Sequence, residues 1–218
     1  MDQCVIFDLD GVIIDSEPVH KICEKEIFRM LGISISEFEH NAFIGVTDEM
    51  MWSQIVNSYS LSIKVPEIIK IKKSLYMEYL KLGINIKPVQ YVSELISDLY
   101  RNDFLLIVAS SSPHEQIDFV LSNFGLTRYF HYIVSGEDVK TSKPHPDIFI
   151  KAAKFVGVEP KSCVVIEDSF NGLMAAKSAN MRCIGYKNPN SGNQDLSEAD
   201  VVVHSLKEIS VSLIKELL

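Results

Sequence analysis

The chain has 218 residues, of which 47% are hydrophobic, and this is enough apolar material for the core of one large domain or two small ones. Its formal net charge is -8 and no segment is rich in lysine and arginine, which argues against a surface that neutralises nucleic-acid phosphates. No apolar stretch approaches transmembrane length, and the first residues read as a core strand and not as a signal peptide, so we expect a soluble, cytoplasmic protein.

Four cysteines are scattered along the chain without the spacing of metal ligands. Three of them, Cys4, Cys163 and Cys183, lie in apolar runs, where a free cysteine behaves as a small hydrophobic residue. We therefore expect reduced, buried thiols and no disulfide framework.

The first predicted element is a strand at residues 4–7, which are all apolar. A short, continuous apolar run is typical of a strand that is buried on both faces of a parallel sheet. Asp8 and Asp10 follow this strand, and Gly11 comes next. Because alternate residues of an extended segment point the same way, the two carboxylates can converge on one point. That point lies beyond the carboxyl end of a strand, where open α/β sheets bind their ligands.

Two carboxylates at such a position suit a hard divalent cation, because Mg2+ takes one or two carboxylates together with phosphate oxygens of a substrate. One carboxylate can also be a nucleophile, while its neighbour moves the proton of the leaving group. Aspartate and glycine are ordinary turn residues as well, so a capped turn is the alternative for this motif taken alone.

The next region, residues 16–86, has apolar residues at helical spacing. Four helices are predicted in it, and no segment reads as a convincing strand. An all-helical stretch between the first strand and the rest of the sheet predicts an inserted helical domain. The remaining residues, 1–15 and 87–218, then form a discontinuous α/β domain.

Strands and helices alternate in the second part of the chain. This alternation predicts a parallel sheet with right-handed crossovers, and thus a three-layer α/β core. After the first strand, the predicted strands lie at residues 104–109, 132–134, 163–166, 183–186 and 201–203. The polar stretch 188–198 is interpreted as a surface loop.

Three serines, Ser110, Ser111 and Ser112, follow the strand at 104–109, and Pro113 opens a helix. Hydroxyl groups and free N–H groups before a helix N-terminus can cradle a phosphate. Capping of the helix by Ser112 is the simpler interpretation. Both can hold together, with Ser112 as the cap and with Ser110 and Ser111 as phosphate ligands.

Two further motifs carry charged residues. Lys143 lies between a turn and a helix that starts with a proline, so its position is well fixed and can offset the charge of a moving phosphoryl group. Most lysines are simply exposed, and that is the alternative here. Glu167 and Asp168 follow the strand at 163–166, where a carboxylate can bind a metal. Capping of the following helix by Asp168 or Ser169 is the alternative.

Together these motifs resemble the signature of the haloacid dehalogenase superfamily, and more narrowly that of its β-phosphoglucomutase-like phosphatases. The resemblance is carried by residues 7–12, 15–17, 143–147 and 167–172, and it covers nearly the whole chain. It implies a Rossmann-like core with a small helical cap, here residues 16–86. It also implies an Mg2+-dependent reaction that passes through an aspartyl-phosphate.

The resemblance gives a role to each polar strand end. Asp8 is the implied nucleophile, and Asp10 is the implied general acid/base. The resemblance also implies a phosphate site at Ser110 and Lys143, with Ser111 beside it. The implied metal ligands are Asp8, Asp168 and the carbonyl of Asp10, and Glu167 supports this site or binds the metal through water.

Two residues of the helical region are candidates for substrate contact. In the sugar-phosphate mutases of this family, a histidine at the offset of His20 contacts the general acid/base. Lys73 in the fourth helix is a second candidate. A lone histidine is more often structural, so both interpretations of His20 stay open.

The predicted reaction is hydrolysis of a small phosphomonoester, such as a sugar phosphate, and a phosphomutase is the alternative. In the resembled mutases an arginine after a Gly-Val-Ser/Thr turn binds a second phosphate. The matching stretch here is residues 45–48, and Asp48 would repel that phosphate. Ser112 and Pro113 likewise stand where those mutases have Ser-Lys.

Two other function classes fit less well. Haloacid dehalogenation is disfavoured because the pattern of Asp10 and Asp168 serves phosphoryl transfer. A non-catalytic module would be expected to have lost site residues, and each expected group is present. The predicted partner is a small phosphorylated metabolite, without nucleic acid or membrane, and the sequence is compatible with a monomer.

Overall fold

The computed structural model describes residues 3–44 and 46–218. The chain divides into two compact units, one made of residues 1–15 and 87–218 and the other of residues 16–86. Within the described residues, no helix is long and apolar enough to cross a membrane.

The first unit is built on a parallel sheet of six strands in the order β3-β2-β1-β4-β5-β6. The strands are β1 (Cys4–Phe7), β2 (Leu105–Ser110), β3 (Tyr132–Ser135), β4 (Cys163–Glu167), β5 (Arg182–Tyr186) and β6 (Val201–Val203). The chain runs outwards from β1 to β3, returns to the other side of β1, and then runs outwards again to β6. The strand order therefore reverses at β1, and such a reversal is where doubly wound sheets bind their ligands.

The helices of both units follow the apolar periodicity of the sequence. They are α1 (Glu17–Met30), α2 (Glu37–Asn41), α3 (Asp48–Ser58), α4 (Val65–Lys81), α5 (Val92–Arg101), α6 (His114–Asn123), α7 (Asp147–Phe155), α8 (Phe170–Ser178) and α9 (Val211–Leu217). The first four belong to the second unit, and the other five belong to the first.

Strand β1 is fully buried because both of its faces are covered. On one face, Cys4 and Ile6 join Phe149 of α7 and Leu173 of α8 in a single apolar cluster. The alternate residues of β1 point to the opposite face and are buried as well. Burial of each aliphatic side chain stabilises the folded state by about 1.5–3 kcal/mol, and this favours a central position of the strand in the sheet. The predicted three-layer α/β class is confirmed, and the four cysteines are free and buried, as expected.

The second unit packs α1, α3 and α4 around a small apolar core. The ring of Phe28 meets the ring of Trp52 edge to face, with 5.6 Å between the ring centroids. Ile55 and Ile68 are fully buried in the same cluster.

A buried ion cluster connects all four helices of this unit. Glu24 of α1 accepts a hydrogen bond from the ammonium of Lys72 of α4 over 2.6 Å, and its other oxygen lies 2.6 Å from Nε2 of His40 of α2. Lys72 also pairs with Asp48 of α3. Glu24, His40 and Lys72 are buried, so each depends on its partners to offset the loss of water.

Candidate active site

The carboxyl ends of three neighbouring strands lie side by side. Phe7, the last residue of β1, is in register with Val108 of β2 and with Ile166 of β4. The N–H of Asp8 donates to the carbonyl of Ile166 over 3.1 Å, so the chain is still paired with β4 at this residue. The residues that follow these strand ends therefore share one edge of the sheet.

Three buried carboxylates meet at this edge. Asp8, Glu167 and Asp168 each offer an oxygen, and the three oxygens lie within 4.8 Å of one another. Burial raises the pKa of Asp8 to about 7, with the charges of Glu167 and Asp10 adding to the effect and Lys143 opposing it. Burial, together with Glu167 and Asp8, also raises the pKa of Asp168 well above its usual range. A cation among these oxygens would relieve both effects, and three hard oxygen donors fit a divalent ion.

Lys143 reaches into the same cluster. Its ammonium donates to Asp8 Oδ1 and to Glu167 Oε1, each over 2.6 Å, and to the carbonyl of Ala109 over 3.2 Å. Burial alone would lower the pKa of Lys143, but the two carboxylates outweigh it and hold that pKa above its ordinary value. The lysine is therefore charged and lies directly beside Asp8.

Glu167 is held in place by the turn that follows it. Its second oxygen accepts hydrogen bonds from the N–H of Asp168, from the N–H of Ser169 and from the hydroxyl of Ser169, over 2.9 to 3.0 Å. A Cβ on Gly172 would lie 1.7 Å from Oε1 of Glu167, so the carboxylate fills the space that this glycine leaves. The Glu-Asp-Ser-x-x-Gly pattern therefore has a direct physical explanation.

Asp10 is held by residues of the loop and helix that follow β2. Its carboxylate accepts a hydrogen bond from the hydroxyl of Ser112 over 2.7 Å and lies 3.4 Å from Nε2 of Gln116. The extended strand β1 ends at Phe7, and the carbonyl of Leu9 accepts hydrogen bonds from residues 13 and 14 in a tight turn. Asp10 lies close enough to Asp8 for its charge to raise the pKa of that residue.

The serine loop after β2 also differs from the expected capping. Ser112 was predicted to cap α6, but the cap position belongs to Pro113, and Ser112 contacts Asp10 instead. Ser110 is fully buried, and its hydroxyl accepts from the N–H of Ser112 over 3.0 Å. Ser111 is exposed.

The end of β3 supports this serine loop. The hydroxyl of Ser135 donates to the carbonyl of Ser112 over 2.7 Å. A Cβ on Gly136 would lie 2.5 Å from the carbonyl oxygen of Ser111, so only glycine lets the two backbones approach this closely.

In the helical unit, the candidate residues lie in different settings. The ring of His20 stacks on Tyr76, with 4.4 Å between the ring centroids and 15° between the ring planes. Lys73 is exposed, and it is the neighbouring Lys72 that enters the buried ion cluster. Asp48 pairs with Lys72. Gly45, which belongs to the turn discussed above, lies outside the described residues.

The segment after β5 was expected to be a plain surface loop, but Leu196 is buried in the apolar core, and two polar residues of the segment contact other parts of the chain. The side-chain amide of Asn188 donates to the carbonyl of Gly11 over 2.8 Å, and Asn188 is buried. The hydroxyl of Ser191 donates to Asp168. No sequence motif predicts either contact, because each joins residues that are far apart in the chain.

Comparison with known proteins places this site in a family. The family model described as haloacid dehalogenase-like hydrolase matches residues 5–186. Hexitol phosphatase B of Escherichia coli (strain K12) is 34% identical over 212 residues, which cover 94% of this chain and 93% of that protein. The phosphorylated carbohydrates phosphatase of Thermotoga maritima is 28% identical and covers 99% of this chain and 100% of its own length.

A solved structure points the same way. The crystal structure of β-phosphoglucomutase from Clostridium difficile has a TM-score of 0.78 and 28% identity, over 100% of this chain and 97% of that one. The match thus includes both the sheet and the inserted helical unit. From the motifs, the strand-end geometry and these likenesses, we conclude that the chain belongs to the haloacid dehalogenase-like hydrolases.

Proposed function

We propose that this protein is an Mg2+-dependent phosphatase that hydrolyses a small phosphomonoester through an aspartyl-phosphate. The observation that carries the proposal is the cluster of buried Asp8, Glu167 and Asp168 with the ammonium of Lys143 in contact with Asp8. One lysine and three carboxylates leave an excess of negative charge. A divalent cation and a phosphoryl group can be accommodated there together, because each neutralises the other.

In the proposed first step, Asp8 attacks the phosphorus atom and the alkoxide of the substrate leaves. Lys143 stays beside Asp8 and offsets the charge of the phosphoryl oxygens, with Ser110 and Ser111 at the adjoining strand end as further donors. Asp10, held by Ser112 and Gln116, gives its proton to the leaving alkoxide.

In the second step, Asp10 takes a proton from a water molecule that attacks the phosphorus, and Asp8 is released. Asp8, Asp168 and the carbonyl of Asp10, with Glu167 in support, would hold Mg2+. When bound, the ion supplies charge neutralisation for the phosphoryl group. The absence of histidine and cysteine from this donor set favours a hard ion such as Mg2+ over a softer one.

The proposed substrates are monophosphates of sugars or sugar alcohols. Support comes from the hexitol phosphatase and the phosphorylated carbohydrates phosphatase, since each aligns with nearly all of this chain. The helical unit, residues 16–86, is proposed as the cap that selects the substrate.

A screen of phosphate release tests this proposal. The purified protein with Mg2+ is offered hexitol phosphates, hexose phosphates, pentose phosphates and nucleoside monophosphates at equal concentration. We expect the highest kcat/KM for hexose or hexitol monophosphates and no turnover by the Asp8→Asn variant. Undiminished phosphate release by Asp8→Asn, in a preparation free of contaminating phosphatase, would disprove the proposed nucleophile.

The likeness to β-phosphoglucomutase keeps a mutase as the second candidate. A mutase must bind a bisphosphate in two orientations, so it needs a cation for the far phosphate. Asp48 and its partner Lys72 already neutralise each other inside the helical unit, which favours hydrolysis. With β-glucose 1-phosphate and a bisphosphate primer, rapid formation of glucose 6-phosphate with negligible phosphate release would establish the mutase instead.

A further inference from the structure

We propose that Ser191 is a positioning residue for the metal ligand Asp168. The segment of residues 187–196, here called the β5 loop, holds Ser191 in contact with that ligand. This inference rests on the metal-dependent phosphatase proposed above. It assigns a task to a loop that carries none of the family motifs.

The carboxylate of Asp168 is fixed from two sides. The hydroxyl of Ser191 donates to Oδ2 of Asp168. On another side, a Cβ on Gly11 would lie 1.9 Å from the same oxygen, so the glycine backbone is packed against it. With Oδ2 confined between Ser191 and Gly11, the orientation of the whole carboxylate is set.

The donor on Asp168 is neutral, and this matters for a metal site. Lys143 contacts Asp8 and Glu167 directly and offsets part of their negative charge. Asp168 receives a hydroxyl hydrogen bond, which orients the carboxylate without cancelling its charge. Its charge therefore remains available to a cation, and outer-shell donors of this kind commonly orient metal ligands.

The β5 loop is tied to the two segments that flank Asp168. Asn188 donates to the carbonyl of Gly11 over 2.8 Å, and the amide of Asn190 donates to both carboxylate oxygens of Asp15 over 2.9 and 3.0 Å. At the other end of the loop, the side-chain oxygen of Gln194 accepts from the first N–H of α8 over 3.0 Å. The loop thus bridges the turn after β1 and the helix after β4.

Hydrogen bonds hold the part of the β5 loop that contains Ser191. The loop borders a cavity of about 290 Å³, which Asp168 and His204 also line. Among the lining residues, Leu196 is the buried apolar side chain. A loop beside open space needs specific polar contacts to keep one conformation, and Asn188 and Asn190 supply them.

The test is a direct measurement of Mg2+ affinity by isothermal titration calorimetry on the purified full chain. Ser191→Ala removes the donor, Ser191→Thr keeps it, and Ser191→Cys keeps the size with a weaker donor. The matched control is Ser197→Ala, because the hydroxyl of Ser197 also bonds an aspartate, Asp195, but on the exposed surface. We expect the Kd for Mg2+ to rise by about 10- to 100-fold in Ser191→Ala.

We expect Ser191→Thr and Ser197→Ala to bind Mg2+ with the Kd of the wild type. The Kd of Ser191→Cys should lie between those of the wild type and Ser191→Ala. The Tm of the apo protein should stay near the wild-type value in Ser191→Ala. An unchanged Mg2+ Kd in Ser191→Ala and Ser191→Cys would overturn this inference and leave the phosphatase standing. A fall in the Tm of the apo protein that accounts for the weaker binding would show a merely structural role. Failure of the wild type itself to bind Mg2+ would overturn both proposals.

Discussion

At the scale of single residues, two neutral donors orient the carboxylate of Asp10. Ser112 donates to Asp10 over 2.7 Å, and the amide of Gln116 lies 3.4 Å from the same oxygen. Gln116 is buried, so its amide is well placed to keep this orientation. In the proposed reaction, these donors aim the proton of Asp10 at the leaving alkoxide.

We therefore expect Ser112→Ala to lower kcat/KM for a sugar monophosphate by about tenfold, a part of the roughly 10²–10⁴ that general acid catalysis contributes. The loss should be much smaller with p-nitrophenyl phosphate, because p-nitrophenolate leaves without a proton. Ser122→Ala, an exposed serine of α6, is the control. Equal losses on both substrates would show that Ser112 acts on something other than Asp10.

Much of the candidate site was predictable from the sequence because its residues follow the carboxyl ends of strands, which lie at one edge of the sheet. Asp8, Lys143, Glu167 and Asp168 lie together as the motifs indicated. The contact of Ser112 with Asp10 joins residues 102 positions apart, and no local sequence pattern indicates it. The contact of Asn188 with Gly11 spans 177 positions and has no local signal.

At the scale of elements, the buried ion cluster is the feature that unites the helical unit. One ionisable residue from each of the helices α1 to α4 takes part: Glu24, His40, Asp48 and Lys72. Removing one partner of a buried pair leaves the other charge without water or counter-ion, and that costs more than the pair itself contributes.

Replacing Lys72 with methionine should therefore destabilise the helical unit by about 3–5 kcal/mol. Lys73→Met, one position along the same helix, should change the free energy of unfolding by less than about 0.5 kcal/mol, because Lys73 is exposed. Urea unfolding followed by tryptophan fluorescence measures this directly, since Trp52 is the single tryptophan and lies in the core of this unit. Equal effects of the two substitutions would rule out a stabilising role for the cluster.

The same cluster predicts a pH dependence. Burial alone would raise the pKa of Glu24, but His40 and Lys72 hold that pKa below its ordinary value. A carboxyl whose pKa is lowered by folding contributes stability above the unfolded value of about 4.3, and this contribution is lost as the pH falls through the lower folded value.

The difference in unfolding free energy between the wild type and Glu24→Gln should therefore be largest near about pH 7 and should shrink towards about pH 3. Urea titrations at both pH values, again with Trp52 as the reporter, give the difference. A difference that is constant over this pH range would mean that the pKa of Glu24 is the same in the folded and unfolded states.

The elements themselves followed from the sequence because apolar runs and periodicities specify them. The strand predicted at 163–166 is β4, and the alternation after residue 87 gave the remaining strands of the sheet. The start of α6 was less predictable. Serine and proline both occur at the first positions of helices. Here the N-cap residue is Pro113, and the hydroxyl of Ser112 donates a hydrogen bond to Asp10 and does not cap the helix.

At the scale of the whole molecule, one chain contributes a sheet with a carboxylate-rich edge and a separate helical unit inserted after the first strand. The proposed activity requires a cation at that edge. Exhaustive chelation with EDTA should abolish phosphate release, and added Mg2+ should restore it. Asp168→Asn should raise the Mg2+ concentration needed for half-maximal activity or eliminate activity. Full turnover after chelation would contradict the proposed metal site.

The central claim is that Asp8 carries the phosphoryl group during turnover, and borohydride trapping measures this most directly. Protein quenched during turnover of a sugar monophosphate is reduced, which converts an aspartyl-phosphate into homoserine, and is then mapped by peptide mass spectrometry. The proposed mechanism predicts homoserine at position 8 in the wild type with Mg2+, and none after chelation or without substrate. Homoserine at another position, or none at all under conditions where the phosphoenzyme must accumulate, would contradict it.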